Sequence, residues 1–331
     1  MKMPVIADSY SKGLAAVILS IILTTSGPLA AEQSSLSKLV CSDVGTPSNP
    51  KAAVESWMSK TLGQKISWET TLSSSQIDRI DLVAFDKMGI QPANLQSLFA
   101  EVKADLAQAI QREPRISANE KARLQNEIKE VEFKTASDLI KEKLINKTHY
   151  IASCSYAGTD VNASVNYAMD GVQALVFICP GTLVWGAIIG AAKFESYYRR
   201  TMAHELGHFI AASYYESDSK FAGLYDGFLS CIGAKLGINK FDRPMKSEYT
   251  ADYWGSAASA VYFERVNADQ SFFKQFSVAS FSDHKGKTCS AEKSENSAYA
   301  TSSQRINILW GNNPYIHRIF GNKDSPEPCG I

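Results

Sequence analysis

Before residue 140 the apolar positions recur every three or four residues. After Pro92 they fall at Leu95, Leu98, Phe99, Val102, Leu106 and Ile110, with charged residues opposite, which predicts an amphipathic helix. A second such helix opens with the Ser117–Glu120 capping box and carries Leu124, Ile128, Val131 and Leu139 at helical spacing. The charged faces of both read as solvated surfaces of structural helices. Upstream, residues 32–52 are rich in Ser, Pro and Thr and read as a loose leader to the fold.

The pattern changes at about 147. The runs KTHYIASCSY and ALVFICPG are short, β-branched and aromatic, and separated by Gly, Asp and Asn, which predicts strands. TLVWGAIIGAA, at 182–192, is too short to span a bilayer and reads as buried core. From 194 the helical period returns through TMAHELGHFI. A small-residue helix follows at about 219–236, and Pro244 and Ser247 mark the start of another, SEYTADYWGSAASAVYFERV. No internal repeat is evident.

Composition narrows the function classes. The chain has 331 residues, and its 34 Lys plus Arg balance 34 Asp plus Glu, so the formal net charge is zero. That balance leaves no electrostatic footprint for nucleic acid or an acidic membrane surface. Residues 1–31 read as a signal peptide: Lys2 and Lys12 precede the apolar run GLAAVILSIILTT, and the small residues of SGPLAAEQ place cleavage after Ala31. Export to a periplasmic or extracellular space follows, with no stable membrane span after cleavage. It also changes the meaning of Cys41, Cys154, Cys179, Cys231, Cys289 and Cys329. With no CxxC pair and no histidine at zinc-finger spacing, they suggest up to three disulfides, whose fifteen possible pairings the sequence leaves open. Asn146 and Asn162 head glycosylation sequons, meaningful only in a eukaryotic secretory host.

The chemistry concentrates in HELGH. On a helix, residues four apart share a face, so His204 and His208 can point imidazole nitrogens at one ion. Glu205 is offset by about 100° from His204 and reaches a water on that ion without ligating it. Zinc with three protein ligands and an open position is the metal this arrangement suits. A five-residue pattern arises by accident often enough that a third ligand is needed. EYTAD supplies one at the start of its own predicted helix, where Glu248 and Asp252 again stand four apart. One carboxylate can bind the metal while the other accepts the Nδ1–H of a ligand histidine.

HExxH followed by ExxAD on a second helix resembles the gluzincin metallopeptidases, and more narrowly the soluble exported relatives of the HtpX-type and CAAX-processing proteases. VNYAMDGVQALVFICPGTL, at 165–183, is similar to the segment that forms the edge strand of the substrate cleft in that branch. The resemblance covers about 145–310. It implies an α+β, zincin-like core over 146–331 with a small mixed sheet, an active-site helix and a second ligand helix. The helical region of 32–145 would pack on that core. By position it implies one zinc per chain on His204, His208 and Glu248, with Glu205 as general base and Asp252 orienting a ligand histidine. The implied activity is an exported endopeptidase whose peptide or protein substrate lies along an edge strand at 172–179. A zinc-containing chaperone-like or binding protein with little proteolysis is the alternative.

This chain departs from the family in two places. The segment between the edge strand and HELGH is longer than usual. The family's His-Pro upstream of an arginine is also missing: AYATSSQRINIL keeps Arg305 but has Tyr299 in the place of the histidine. Tyr299, Arg305 and His317 are therefore the candidates for stabilising a transition state. Tyr299 is favoured by its position, and Arg305 fits a structural or orienting role better.

Overall fold

The computed structural model describes residues 29–144, 147–166, 174–215, 223–290, 300–321 and 327–331. Most of the expected signal peptide, and Tyr299, lie outside the described residues. The chain is an α+β fold, mostly helical around a small mixed sheet.

It opens with α1 (Leu29–Ser42), α2 (Pro50–Leu62) and α3 (Ser74–Met88). The expected loose leader at 32–52 is therefore largely helical. Leu36 and Val40, one turn apart, pack into the core and outweigh the serine content. The next helix, α4 (Pro92–Arg112), buries Leu95, Phe99, Val102, Leu106 and Ile110, as its period predicts. Next, α5 (Ala118–Glu130) carries the Ser117–Glu120 capping box. It stops before the expected continuation to Leu139. Residues Glu132–Thr135 form β1, and Thr135 then caps a new helix, α6 (Ala136–Glu142), through a second capping box with Asp138. A local cap beats a continuing apolar period here.

KTHYIASCSY is not a strand. Lys147–Cys154 is α7, with Tyr150 and Cys154 buried one turn apart. The sheet is completed by β2 (Ala163–Asn166) and β3 (Leu175–Ile178) in the order β1-β3-β2, with β1 parallel and β2 antiparallel to β3. The strand expected at the edge over 172–179 is instead central, and all four β3 side chains are buried. A strand covered on both faces reads as a continuous apolar run, which explains LVFI. Among the described residues the outer strands of the sheet are β1 and β2. Because β1 precedes residue 146, the sheet draws strands from both sides of the boundary drawn there.

The chain continues through α8 (Pro180–Ile189), α9 (Ala191–Tyr215), α10 (Asp226–Leu236) and α11 (Arg243–Arg265). Asp242 caps α11 by accepting from the Met245 N–H at 2.8 Å, so the helix starts a turn before Ser247. Helices α12 (Gln270–Ser280), α13 (Lys285–Cys289), α14 (Ser302–Gln304) and α15 (Pro314–Phe320) follow, with one π-helical turn at Arg305–Trp310. Three disulfides, Cys41–Cys289, Cys154–Cys179 and Cys231–Cys329, pair all six cysteines. Among the described residues no helix is long and apolar enough to cross a membrane.

Candidate metal centre

Helices α9 and α11 are packed face to face. Two glycines permit it. A Cβ on Gly207 would lie 2.8 Å from the Ala251 carbonyl oxygen, and one on Gly255 would lie 3.2 Å from the His204 backbone. Each glycine thus faces backbone of the other helix, so the ligand-bearing turns meet with no side chain between them.

On α9, Arg200, His204 and His208 follow at four-residue steps and share one face. From α11, Glu248 reaches both rings: its Oε2 lies 3.6 Å from His204 Nε2 and its Oε1 lies 3.5 Å from His208 Nε2. His204, Glu205 and His208 bring ligand-type atoms within 4.8 Å of one another, a group that could hold a metal ion. Both Nδ1 atoms face supports on α11. His204 Nδ1 lies 2.9 Å from Asp252 Oδ1, off the ideal N–H direction, and His208 Nδ1 lies 3.0 Å from Ser247 Oγ. With both Nδ1 positions turned outward, the two Nε2 atoms face Glu248. Bonds of about 2.0–2.1 Å in tetrahedral geometry separate neighbouring ligand atoms by about 3.3 Å. The observed 3.5 and 3.6 Å fit that spacing.

Electrostatics divides the labour among the carboxylates. Burial by itself would raise Asp252, but Arg305, His204 and Arg200 drive it far below the usual carboxylate range. Arg305 donates to Asp252 through Nε and Nη2, both at 2.9 Å, and its Nη2 also reaches Glu248 at 3.4 Å. Arg200 Nη2 lies 3.4 Å from Asp252 Oδ1. Glu248 is held below its ordinary value: burial opposes ionisation, while His204, Arg305 and His208 favour the anion. Glu205 goes the other way. Burial first, and then the Glu248 charge, push it well above the usual range. His208 is lowered to about 4 by burial and by His204, which leaves it a neutral imidazole, the form that ligates metal.

The structure thus gathers His204, Glu205, His208, Glu248, Asp252 and Arg305 into one site. It does not gather His317, which lies on α15 beside residues that contact Tyr253, Glu113 and Glu264. Tyr299 is outside the described residues, although its neighbour Ala300 donates its N–H to the Tyr249 hydroxyl at 2.9 Å. Sequence reasoning missed Arg200, Ser247 and the two glycines. Arg200 was visible as the third member of the four-residue stripe, and Ser247 as the residue beside Glu248. Nothing in the sequence marks Gly255 as a close approach, because its partner lies on another helix. Comparisons with family models, with curated proteins and with solved structures found no match to this chain.

Proposed function

We propose that this chain is an exported zinc-dependent endopeptidase with a gluzincin-type, zincin-like core. The observation that carries the reading is the convergence of His204 Nε2, His208 Nε2 and the Glu248 carboxylate beside the buried Glu205. Two imidazoles and one carboxylate are a donor set that zinc uses in catalytic sites. A zinc ion held there supplies Lewis acidity toward a peptide carbonyl. Glu205 takes the proton of the attacking water and delivers it to the leaving amine, a role suited to a buried carboxyl whose affinity for a proton is raised. Asp252, fixed by two arginines, holds the His204 ring. Arg305 is already bonded to Asp252 and Glu248, so its role is orienting. Tyr299 remains the candidate donor to the oxyanion.

The substrate is an unfolded segment. Among the described residues β2 is an outer strand of the sheet packed against α9, and an extended peptide can pair with such an edge by main-chain hydrogen bonds. Export is supported by the leader of residues 1–31 and by three disulfides, which persist in oxidising compartments.

The test compares wild type with Glu205→Gln on an unfolded protein substrate. Turnover should fall about a hundred- to ten-thousandfold while bound metal is unchanged. Equal rates in both proteins would reject the peptidase and leave the zinc-containing binding protein.

A further inference from the structure

We propose that a cavity between α3, α6 and α7, apart from the metal centre, binds an aliphatic carboxylic acid of intermediate chain length. The cavity measures about 310 Å³, at the lower end of the roughly 300–1,000 Å³ typical of small-molecule sites. Leu72, Ile77, Ile140 and Ile151 form the apolar part of its wall, and Thr71, Ser74 and Tyr150 line the rest. The four aliphatic side chains favour a hydrocarbon tail in that part of the cavity.

Exposed side chains border the cavity. Tyr156 borders it at 43 % exposure and meets the ring of Trp68, itself 47 % exposed, at 6.5 Å between centroids. Lys143 also borders it, at the C-terminal cap of α6 with φ of 57°, where glycine is the usual residue. Ser155, next to Tyr156, has φ of 66°.

Charge selects the head group. Lys141 is paired with Asp78 at 3.0 Å, whereas Lys143 has no carboxylate partner among the described residues. One unpaired ammonium at the mouth of an apolar chamber matches a singly charged carboxylate. A phosphate, with close to two charges, would be left half neutralised. The ligand is therefore an alkyl chain inside with its carboxylate at Lys143. This inference does not depend on the metal-centre reading.

Calorimetric titration of the full mature chain with hexanoate, octanoate and decanoate, below their micellar concentrations, tests it. Binding should saturate at one per chain and tighten about fourfold per methylene until the cavity is full. Ile151→Trp should abolish binding by filling the chamber, with its melting temperature checked to establish folding. Lys143→Gln should weaken decanoate about two- to fivefold while leaving 1-decanol unaffected. No saturable binding, or a series flat in chain length, would overturn the proposal from the wild-type protein alone. Undiminished binding by folded Ile151→Trp would overturn the location. Equal binding of acid and alcohol by wild type would overturn the assigned ligand class.

Discussion

Asp252 and Asp81 are both aspartates buried to within a few per cent of full enclosure, and their carboxyls are shifted in opposite directions. Asp252, between α9 and α11, faces Arg305, Arg200 and His204 and is held as an anion. Asp81, on α3, accepts from the Ser137 hydroxyl at 2.5 Å on one oxygen, and its other oxygen has no partner among the described residues. Burial pushes it up to about 7, helped by the nearby Asp138 and Asp78. Desolvation opposes charge in both places, and only the site region supplies cations enough to reverse it. A buried carboxylate facing two arginines stays ionised, whereas one that faces Ser137 and no cation opposes folding as it ionises.

The comparison can be broken at either end. Asp252→Asn has the largest expected effect, because it removes the anion that faces buried Arg200 and leaves Arg305 with only Glu248 at 3.4 Å among the described residues. Stability should drop by about 3–5 kcal/mol, measured by chemical denaturation. Metal affinity should fall about ten- to a hundredfold, measured by chelator competition. If neither changes, Asp252 supports nothing.

Asp81→Asn should do the reverse and stabilise the protein, but only above acid pH. The folded value of about 7 exceeds the ordinary 3.8. Between those values the unfolded chain has released its proton and the folded chain retains it. Wild-type stability is thus fully present below about pH 4, declines as pH rises to about 7, and is flat beyond. The asparagine protein lacks this decline. Its advantage should approach zero at pH 4 and reach up to about 4 kcal/mol at pH 8. Equal pH profiles for the two proteins would show that Asp81 ionises normally.

The smallest effect sharpens the contrast inside the site. His204 is backed by a charged carboxylate and His208 by the neutral hydroxyl of Ser247. Ser247→Ala should weaken metal by about tenfold or less and shift stability by about 1 kcal/mol. A loss as large as that of Asp252→Asn would erase the distinction between the two supports.

The same contrast shows what a sequence can and cannot reveal. His204, His208, Glu248 and Asp252 were legible because two helices each present a four-residue step, a local property of the chain. α4 and the Ser117 cap were legible for the same reason. The edge position of β2 was not, because strand order depends on β1, which lies some forty residues upstream of β3 and was read as helix. Lys147–Cys154 misled because its β-branched and aromatic residues satisfy a core-facing helix as readily as a strand. Gly207 and Gly255 matter only through a helix that neither sequence neighbourhood contains.

The central claim is that His204, His208 and Glu248 hold one metal ion, and metal analysis of the purified mature chain tests it most directly. The account predicts about one zinc per wild-type chain, retained in Glu205→Gln and largely lost in Glu248→Ala with the fold intact. A wild-type chain without metal after reconstitution, or a Glu248→Ala chain that keeps its full complement, would contradict it.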